Sequence, residues 1–349
     1  MKTWQKLRRQ PKLWEHYWVR ERLIRAVRNF FLEKGFHEVE TPLLIARPPA
    51  ESYLDVFTTT LYDRQRRPQT AYLSTSPEVA LKKLMVAGLG NCFSLTKSFR
   101  NMETQSKLHS PEFTILEWYR VGADYQILMT DCEDLLGAIK KEVLGKKPLV
   151  YQGRQIDLGQ PWERLTVAGA FIRYAHLDLA KALKPETMRK LAYSRGYRVE
   201  KETTWEELFN QIFLNEIEPR LGRGKPTILY EFPASFAALA KKKESDPRWA
   251  ERFEFYIAGL ELGDAYSELT DWREQEARFK KEIKEIKRLG KTLYDYDHDF
   301  IEALKNGLPE CAGIAAGVDR LIMLFANVTD IADTLFFPGE EEFEESDKR

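Results

Sequence analysis

Helical and strand periodicities alternate along this chain, and the alternation predicts an α+β fold. In residues 14–34 Tyr17, Trp18, Leu23, Ile24, Val27, Phe30 and Phe31 recur at helical spacing, and Gly35 provides the stop. Residues 35–42 read as a strand that ends at Pro42. A short strand over 70–74 leads to a helix over 76–85, with Ser76 suited to the cap, Pro77 to the first turn and Glu78 to the positive end of the dipole. Residues 94–99 and 113–119 alternate as two antiparallel strands joined by the polar loop 101–111. A helix over 124–145, a hairpin over 147–158, and two or three short helices within 163–224, one of them over 205–217, come next. Strands over 226–233 and 253–259 flank the lysine triplet 241–243, which reads as a solvated loop. Asp271 and Glu274 form a capping box for a helix running to Gly290.

Composition narrows the picture. The chain has 349 residues, 43% hydrophobic and 12% aromatic, enough for a sizeable core. Lys plus Arg and Asp plus Glu are 54 each, so no global basicity argues for nucleic-acid binding. No apolar run reaches the roughly 20 residues of a membrane span, and the basic start lacks a signal core; a cytoplasmic protein is expected. The three cysteines, Cys92, Cys132 and Cys311, fit reduced buried thiols, and the histidine spacing offers no structural zinc site.

Three stretches carry chemistry. Arg100 ends the first strand of the 94–119 pair, where its planar fork can hold a phosphate bidentately, and Lys107 and His109 in the following loop are further donors. A surface hairpin with a solvated loop is the plain alternative. In 261–271, alternation puts Asp264 and Glu268 on one face, with Glu261 on the other unless the strand is bulged or broken at Gly263. An exposed edge strand carrying charges would look similar. In 311–324 small residues precede a helix from about Val318, whose first turn contains Arg320; a cation there opposes the dipole and needs an anionic partner.

The order Phe-Arg-Asn, a polar loop, then His-x-Pro-Glu-Phe-Thr-x-Leu-Glu-Trp-Tyr resembles motif 2 of class II aminoacyl-tRNA synthetases of the lysyl branch. The helix and strand over 14–42 resemble motif 1, the dimer-forming element, and Gly-x-x-x-Gly-x-Asp-Arg resembles motif 3. The resemblance implies a class II catalytic core, an antiparallel sheet flanked by helices, with residues 1–339 as one catalytic domain, an insertion at about 163–224 and an acidic, disordered tail over 340–349. Motif 1 begins close to residue 1, which leaves no room for an N-terminal anticodon-binding barrel. Strings such as Phe232-Pro233-Ala234-Ser235 and Ala250-Glu251-Arg252-Phe253-Glu254 resemble the elongation factor P (R)-β-lysine ligase family, as do Ser76 and Ala315.

That family implies activation of lysine or (R)-β-lysine by Mg²⁺-ATP and transfer to a lysine ε-amine of elongation factor P, by a homodimer for which tRNA is not expected as partner. Arg100, Glu261 and Arg320 would be catalytic, with Glu261 holding the Mg²⁺ that comes with ATP. Asn101, Met102, Glu103, Lys107, His109, Ser110, Leu262 and Gly317 fall on the nucleotide side; Ser76, Pro77, Glu78, Tyr119, Asp264 and Ala315 fall on the amino-acid side, and Glu268 would pair with the substrate ammonium. No general base for the transfer can be named. A lysine-adenylating or tRNA-lysylating enzyme and a non-catalytic paralogue are the competing readings. Two positions depart from the pattern. Met102 stands where a glutamate is usual, so Glu103 is expected to take its place by a register shift; Asp264 stands where asparagine is usual, and its charge needs a neutralising cation.

Overall fold

The architecture follows from where each apolar stripe finds cover. In the computed structural model, which describes residues 2–104 and 106–343, helix α1 (Trp14–Glu33) ends where Gly35 adopts φ +76°, and the chain turns into β1 (His37–Glu38). Only two residues of the strand expected over 35–42 pair. Helix α2 (Glu78–Val86) is followed by β2 (Cys92–Phe99), β3 (Glu112–Val121) and α3 (Tyr125–Leu144), whose Asp124 side chain accepts from the N–H groups of Gln126 and Ile127. Then come β4 (Glu163–Thr166), β5 (Thr227–Pro233), β6 (Trp249–Ile257), β7 (Leu260–Ser267), α4 (Trp272–Arg288), β8 (Cys311–Gly317) and α5 (Val318–Ala326).

Among the described residues the main sheet has eight strands in the order β1-β2-β3-β8-β7-β6-β5-β4, antiparallel throughout its centre and parallel only at the two outer pairs. One face is apolar: Phe93, Trp118, Ile314 and Ala265 lie side by side on β2, β3, β8 and β7, under Phe31 of α1 and Leu128 of α3. The expected antiparallel sheet with helices on it is therefore the observed one. A second apolar cluster joins Phe171, Phe209 and Phe213 of the 163–224 segment to Leu229 and Tyr256 of the sheet. The helix expected over 205–217 is α-helical only at Trp205–Ile212 and continues as a wider turn over Phe213–Ile217.

Three local expectations change. Asp271 caps α4 by accepting the Arg273 N–H, but Glu274 turns outward to Arg278 and Lys242, so there is no capping box. The lysines at 241–243 are half-buried and paired: Lys242 with Glu274, Lys243 with Glu231 and Lys241 with Glu244. Gly339–Phe343 forms a short helix because Glu341 accepts from the N–H and, at 2.7 Å, the Oγ1 of Thr3, the first residue of the helix Thr3–Arg9, where an anion is favoured. Residues 344–349 of the expected disordered tail lie outside the described residues.

One buried carboxylate ties three elements together. Asp319, 2% exposed in the first turn of α5, accepts from Arg20 Nη1 of α1 and from the Thr114 N–H of β3, both at 2.6 Å, and Arg20 Nη2 also donates to Thr114 Oγ1. Replacing one partner of such a pair strands a buried charge, which costs about 3–5 kcal/mol. Asp319→Ala should accordingly lower the unfolding free energy by about that amount, read from the denaturant midpoint, whereas a loss below about 1 kcal/mol would mean that Arg20 finds water instead.

Candidate active site

Directly opposed residues of antiparallel strands share a face, so the sheet register writes out the wall of a cleft. On the side away from α1 one cross-strand row reads Ser94, Glu117, Ala315, Asp264, Glu254, and the next reads Cys92, Tyr119, Gly313, Tyr266, Arg252. Above these rows lies a cleft of about 550 Å³, closed at one end by Ser76 and Glu78 and at the other by Arg100, Glu103, His109 and Arg320. At Gly313 a Cβ would sit 2.2 Å from the Tyr119 ring and 2.5 Å from Glu268 Oε1, and at Gly263 it would sit 2.5 Å from the Phe255 ring. Glycine is needed at both for close approach.

Glu261 joins the same face through a bulge. Phe255 pairs with Gly263 but Tyr256 pairs with Glu261, so Leu262 is the extra residue, and Glu261 faces the cleft with Asp264. Simple alternation would have turned it away.

The end that holds Arg100 and Arg320 is electropositive. Arg100 lies over the Phe113 ring at 5.1 Å, and its Nε is buried with no hydrogen-bond partner among the described residues. Arg320 donates to the carbonyl oxygens of Glu261 at 2.9 Å and Leu108 at 3.2 Å, and to His109 Nε2 at 2.8 Å, while the Glu261 carboxylate stands 3.8 Å away. Neutral acceptors fix the guanidinium and leave its charge largely free for an anion. Burial, with Arg320 adding to it, lowers the His109 pKa; the neutral ring accepts from Arg320 on Nε2 and donates from Nδ1 to Ser106 Oγ.

The other end is acidic and dry. Glu78, Glu117 and Glu268 are all at least 94% buried, with one cation, Lys82, among them, paired to Glu78 and Glu268. Tyr266 donates to Glu78 at 2.9 Å and Tyr119 to Glu117 at 3.2 Å. Burial would lower the Lys82 pKa, but the two carboxylates outweigh it and hold it above its ordinary value. Burial pushes Glu117 up to about 8, with Glu78 adding to the rise. With three buried acids and one ammonium, the pocket keeps Glu117 protonated unless a second cation enters.

Between the ends, Arg252 donates to Asp264 at 2.9 Å and to Glu254 at 2.7 Å while stacking on Phe232. The Asp264 charge thus has the neutralising cation that the sequence requires, although burial still raises its pKa to about 6.

Of the residues expected at the site, Arg100, Glu103, His109, Ser110, Glu261, Leu262, Gly317, Arg320, Ser76, Glu78, Tyr119, Asp264 and Ala315 line this cleft. Five do not. Met102 takes φ +64°, which turns its side chain out to 76% exposure and brings Glu103 in between Arg100 and Arg320. Asn101 bends back so that its side chain accepts from the Met102 N–H. Lys107 is exposed and is held by its carbonyl, which accepts from the Ile331 N–H. Pro77 opens α2 away from the cleft, and Glu268 is buried behind Gly313 with Lys82 as its partner. Sequence reasoning missed Lys82, Glu117, Arg252, Glu254 and Tyr266. Each had a signal: Lys82 lies one turn from Glu78, Glu117 is in phase with Tyr119, and the other three alternate with residues already singled out.

A class II synthetase catalytic fold is what this sheet and cleft define, and the chain belongs to the class II tRNA synthetase family (D, K and N), which matches residues 2–341. It is 39% identical over 325 residues to the elongation factor P–(R)-β-lysine ligase of Avibacterium paragallinarum, covering 92% of this chain and 94% of that protein. It is 35% identical over 330 residues to the lysine–tRNA ligase of Pelotomaculum thermopropionicum and 36% over 328 residues to that of Shewanella loihica, covering 94% and 92% of this chain. The chain spans 64% of the length of each of these two lysine–tRNA ligases.

The loop geometry makes Glu103 and Met102 a testable pair. Glu103→Ala should raise the KM for ATP about tenfold, the usual cost of one lost contact to a buried group, and Met102→Ala should leave it unchanged. Equal effects in steady-state kinetics would remove Glu103 from the nucleotide site.

Proposed function

We propose that the chain is an ATP-dependent aminoacyl ligase, which activates lysine or (R)-β-lysine as an aminoacyl-adenylate and transfers it to a lysine ε-amine of elongation factor P. The observation that carries this reading is the polarity of the cleft, with buried acids that outnumber their one cation at one end and, at the other, Arg100 with an unbonded Nε and Arg320 held by neutral acceptors, the Glu261 carboxylate standing 3.8 Å away. A substrate with a side-chain ammonium completes the first, and a polyphosphate completes the second. The near full-length likeness to an elongation factor P–(R)-β-lysine ligase supports the acceptor, and the lysine–tRNA ligases support the amino acid.

In the first step the side-chain ammonium settles against Glu78 and Glu117, which orients the carboxylate toward the α-phosphate. Arg100 and Arg320 hold the phosphates and take up charge as pyrophosphate leaves; positioning and charge neutralisation supply nearly all of the catalysis. Among the described residues no three His, Cys, Asp or Glu side chains converge to hold a metal by themselves, which suits Mg²⁺, an ion bound by one or two carboxylates together with phosphates. Glu261, with Glu254 beside it, would hold the ion, which would supply neutralisation of the phosphates when bound. His109, Ser110 and Gly317 would line the nucleotide, and Glu103 its base.

The reading takes residues 1–339 as one catalytic domain with an insertion over 163–224, acting as a homodimer in the cytoplasm with tRNA as a poor acceptor. No helix among the described residues is long and apolar enough to cross a membrane. The lysine–tRNA ligase matches favour lysine tRNA as the second candidate acceptor.

Two measurements check this. Intact-mass spectrometry of unmodified elongation factor P, incubated with the protein, Mg²⁺-ATP and either α-lysine or (R)-β-lysine, should show a gain of one lysyl unit, faster with one isomer; charging of lysine tRNA instead would move the function to the second acceptor. Glu117 is protonated below about 8 when the pocket is empty and must ionise to face an ammonium, so binding releases a proton and affinity rises with pH through that value. Calorimetric titration of lysine in buffers of different ionisation heat should show that release, and Glu117→Gln should abolish it.

A further inference from the structure

The two-step reading leaves one requirement open: an acceptor lysine arrives as an ammonium and cannot attack until it loses a proton. The acids already described are committed. Glu78 and Glu268 share Lys82, Glu117 accepts from Tyr119, and Asp264 and Glu254 share Arg252. Glu103 and Glu261 stand beside the phosphate-side arginines.

Glu51 is different. It comes from the 46–57 loop, which follows β1 in the chain, and it lines the cleft with Glu78 and Arg100 as its charged neighbours. Its place therefore adjoins both the amino-acid end and the phosphate end, where the mixed anhydride of the first step joins the two. The loop is fastened from outside: Ser52 N–H donates to Glu282 at 2.9 Å, the Tyr294 hydroxyl to the Pro49 carbonyl at 3.0 Å, and Lys291 pairs with Asp55 at 2.9 Å. Only the Tyr53 hydroxyl, at 2.9 Å, hydrogen-bonds the Glu51 carboxylate among the described residues, so one of its oxygens is left to accept a proton.

We propose that Glu51 is the general base of the transfer step, an inference that rests on the ligase reading above. The acceptor's ε-ammonium gives one proton to Glu51, and the freed amine forms a C–N bond to the acyl carbon. The bond from that carbon to the phosphate oxygen then breaks, and AMP leaves with its electron pair. The second proton on nitrogen passes to the departing phosphate or to water, and an amide remains.

The groups facing Glu51 set its proton affinity. Burial raises it to about 7, Glu78 and Glu282 push the same way, and Arg100 and the Tyr53 hydrogen bond pull it down; Tyr294 and Tyr266 face it as neutral phenols. A base is most effective with its pKa near the working pH.

The test separates the two steps. ATP–pyrophosphate exchange with lysine reports adenylation, and single-turnover transfer is then followed from preformed adenylate to Nα-acetyl-lysine amide, a charged amine, and to hydroxylamine, which is largely uncharged at neutral pH. Glu51→Gln should keep exchange and hydroxamate formation within about twofold while losing about 100-fold or more in transfer to the amine. In the wild type that transfer should rise with pH through about 7, and Tyr53→Phe, which removes the hydrogen bond that lowers the Glu51 pKa, should move the rise to higher pH. Undiminished amine transfer in Glu51→Gln, or equal loss of exchange, hydroxamate and amine transfer, would overturn the assignment while leaving the ligase reading in place. Absence of exchange in the wild type would overturn both.

Discussion

Everything in the cleft depends on strand register. Because side chains alternate faces with a period of two, a slip of one residue between β3 and β8 would bury Glu117 under α1 and turn Trp118 into the cleft. The apolar face prevents this. Phe93, Trp118, Ile314 and Ala265 occupy one row beneath α1 and α3, and no other register covers them all. The acids and arginines on the opposite face are held in place by a hydrophobic constraint they do not share. Asp319 adds a second lock, since its bonds to Arg20 and Thr114 fix the height of α5, and with it Arg320, against the sheet.

With the backbone fixed, the chemistry divides by environment. Buried carboxylates at the amino-acid end are expensive unless paired, and a single lysine cannot pair three. A ligand that brought a second cation would remove that cost, and a pocket built this way selects a cation over an isosteric neutral group. At the other end Arg320 is oriented by two carbonyls and an imidazole, acceptors that align the fork without consuming its charge.

Much of this was legible in the sequence because it is local. The hairpin of β2 and β3 follows from alternation, the stop of α1 from Gly35, and the cap of α4 from Asp271, each a matter of a few neighbouring residues. What stayed hidden depends on contacts distant in sequence. Lys82 reads as a surface lysine on an amphipathic helix until Glu268, 186 positions later, is folded against it (268 − 82). Whether the strand bulges, which the sequence left open, is decided by the partner strand at Leu262, and the register shift expected at Glu103 runs through the left-handed backbone of Met102, which no propensity demands. Lys107 and Asn101 lie off the cleft lining for a related reason: neighbours in a polar loop do not share a direction.

Asp264 shows how a departure from a pattern can be absorbed. Asparagine and aspartate have nearly the same shape, so the exchange leaves packing alone and adds one negative charge to a wall that already holds Glu254 and Glu261. Arg252 is placed to take it up, since its fork reaches Asp264 and Glu254 together, its face rests on Phe232, and a further N–H donates to the Phe236 carbonyl. An arginine so fully bonded cannot also swing out to meet a substrate carboxylate. The charge therefore narrows what Arg252 can do more than it repels what enters the cleft.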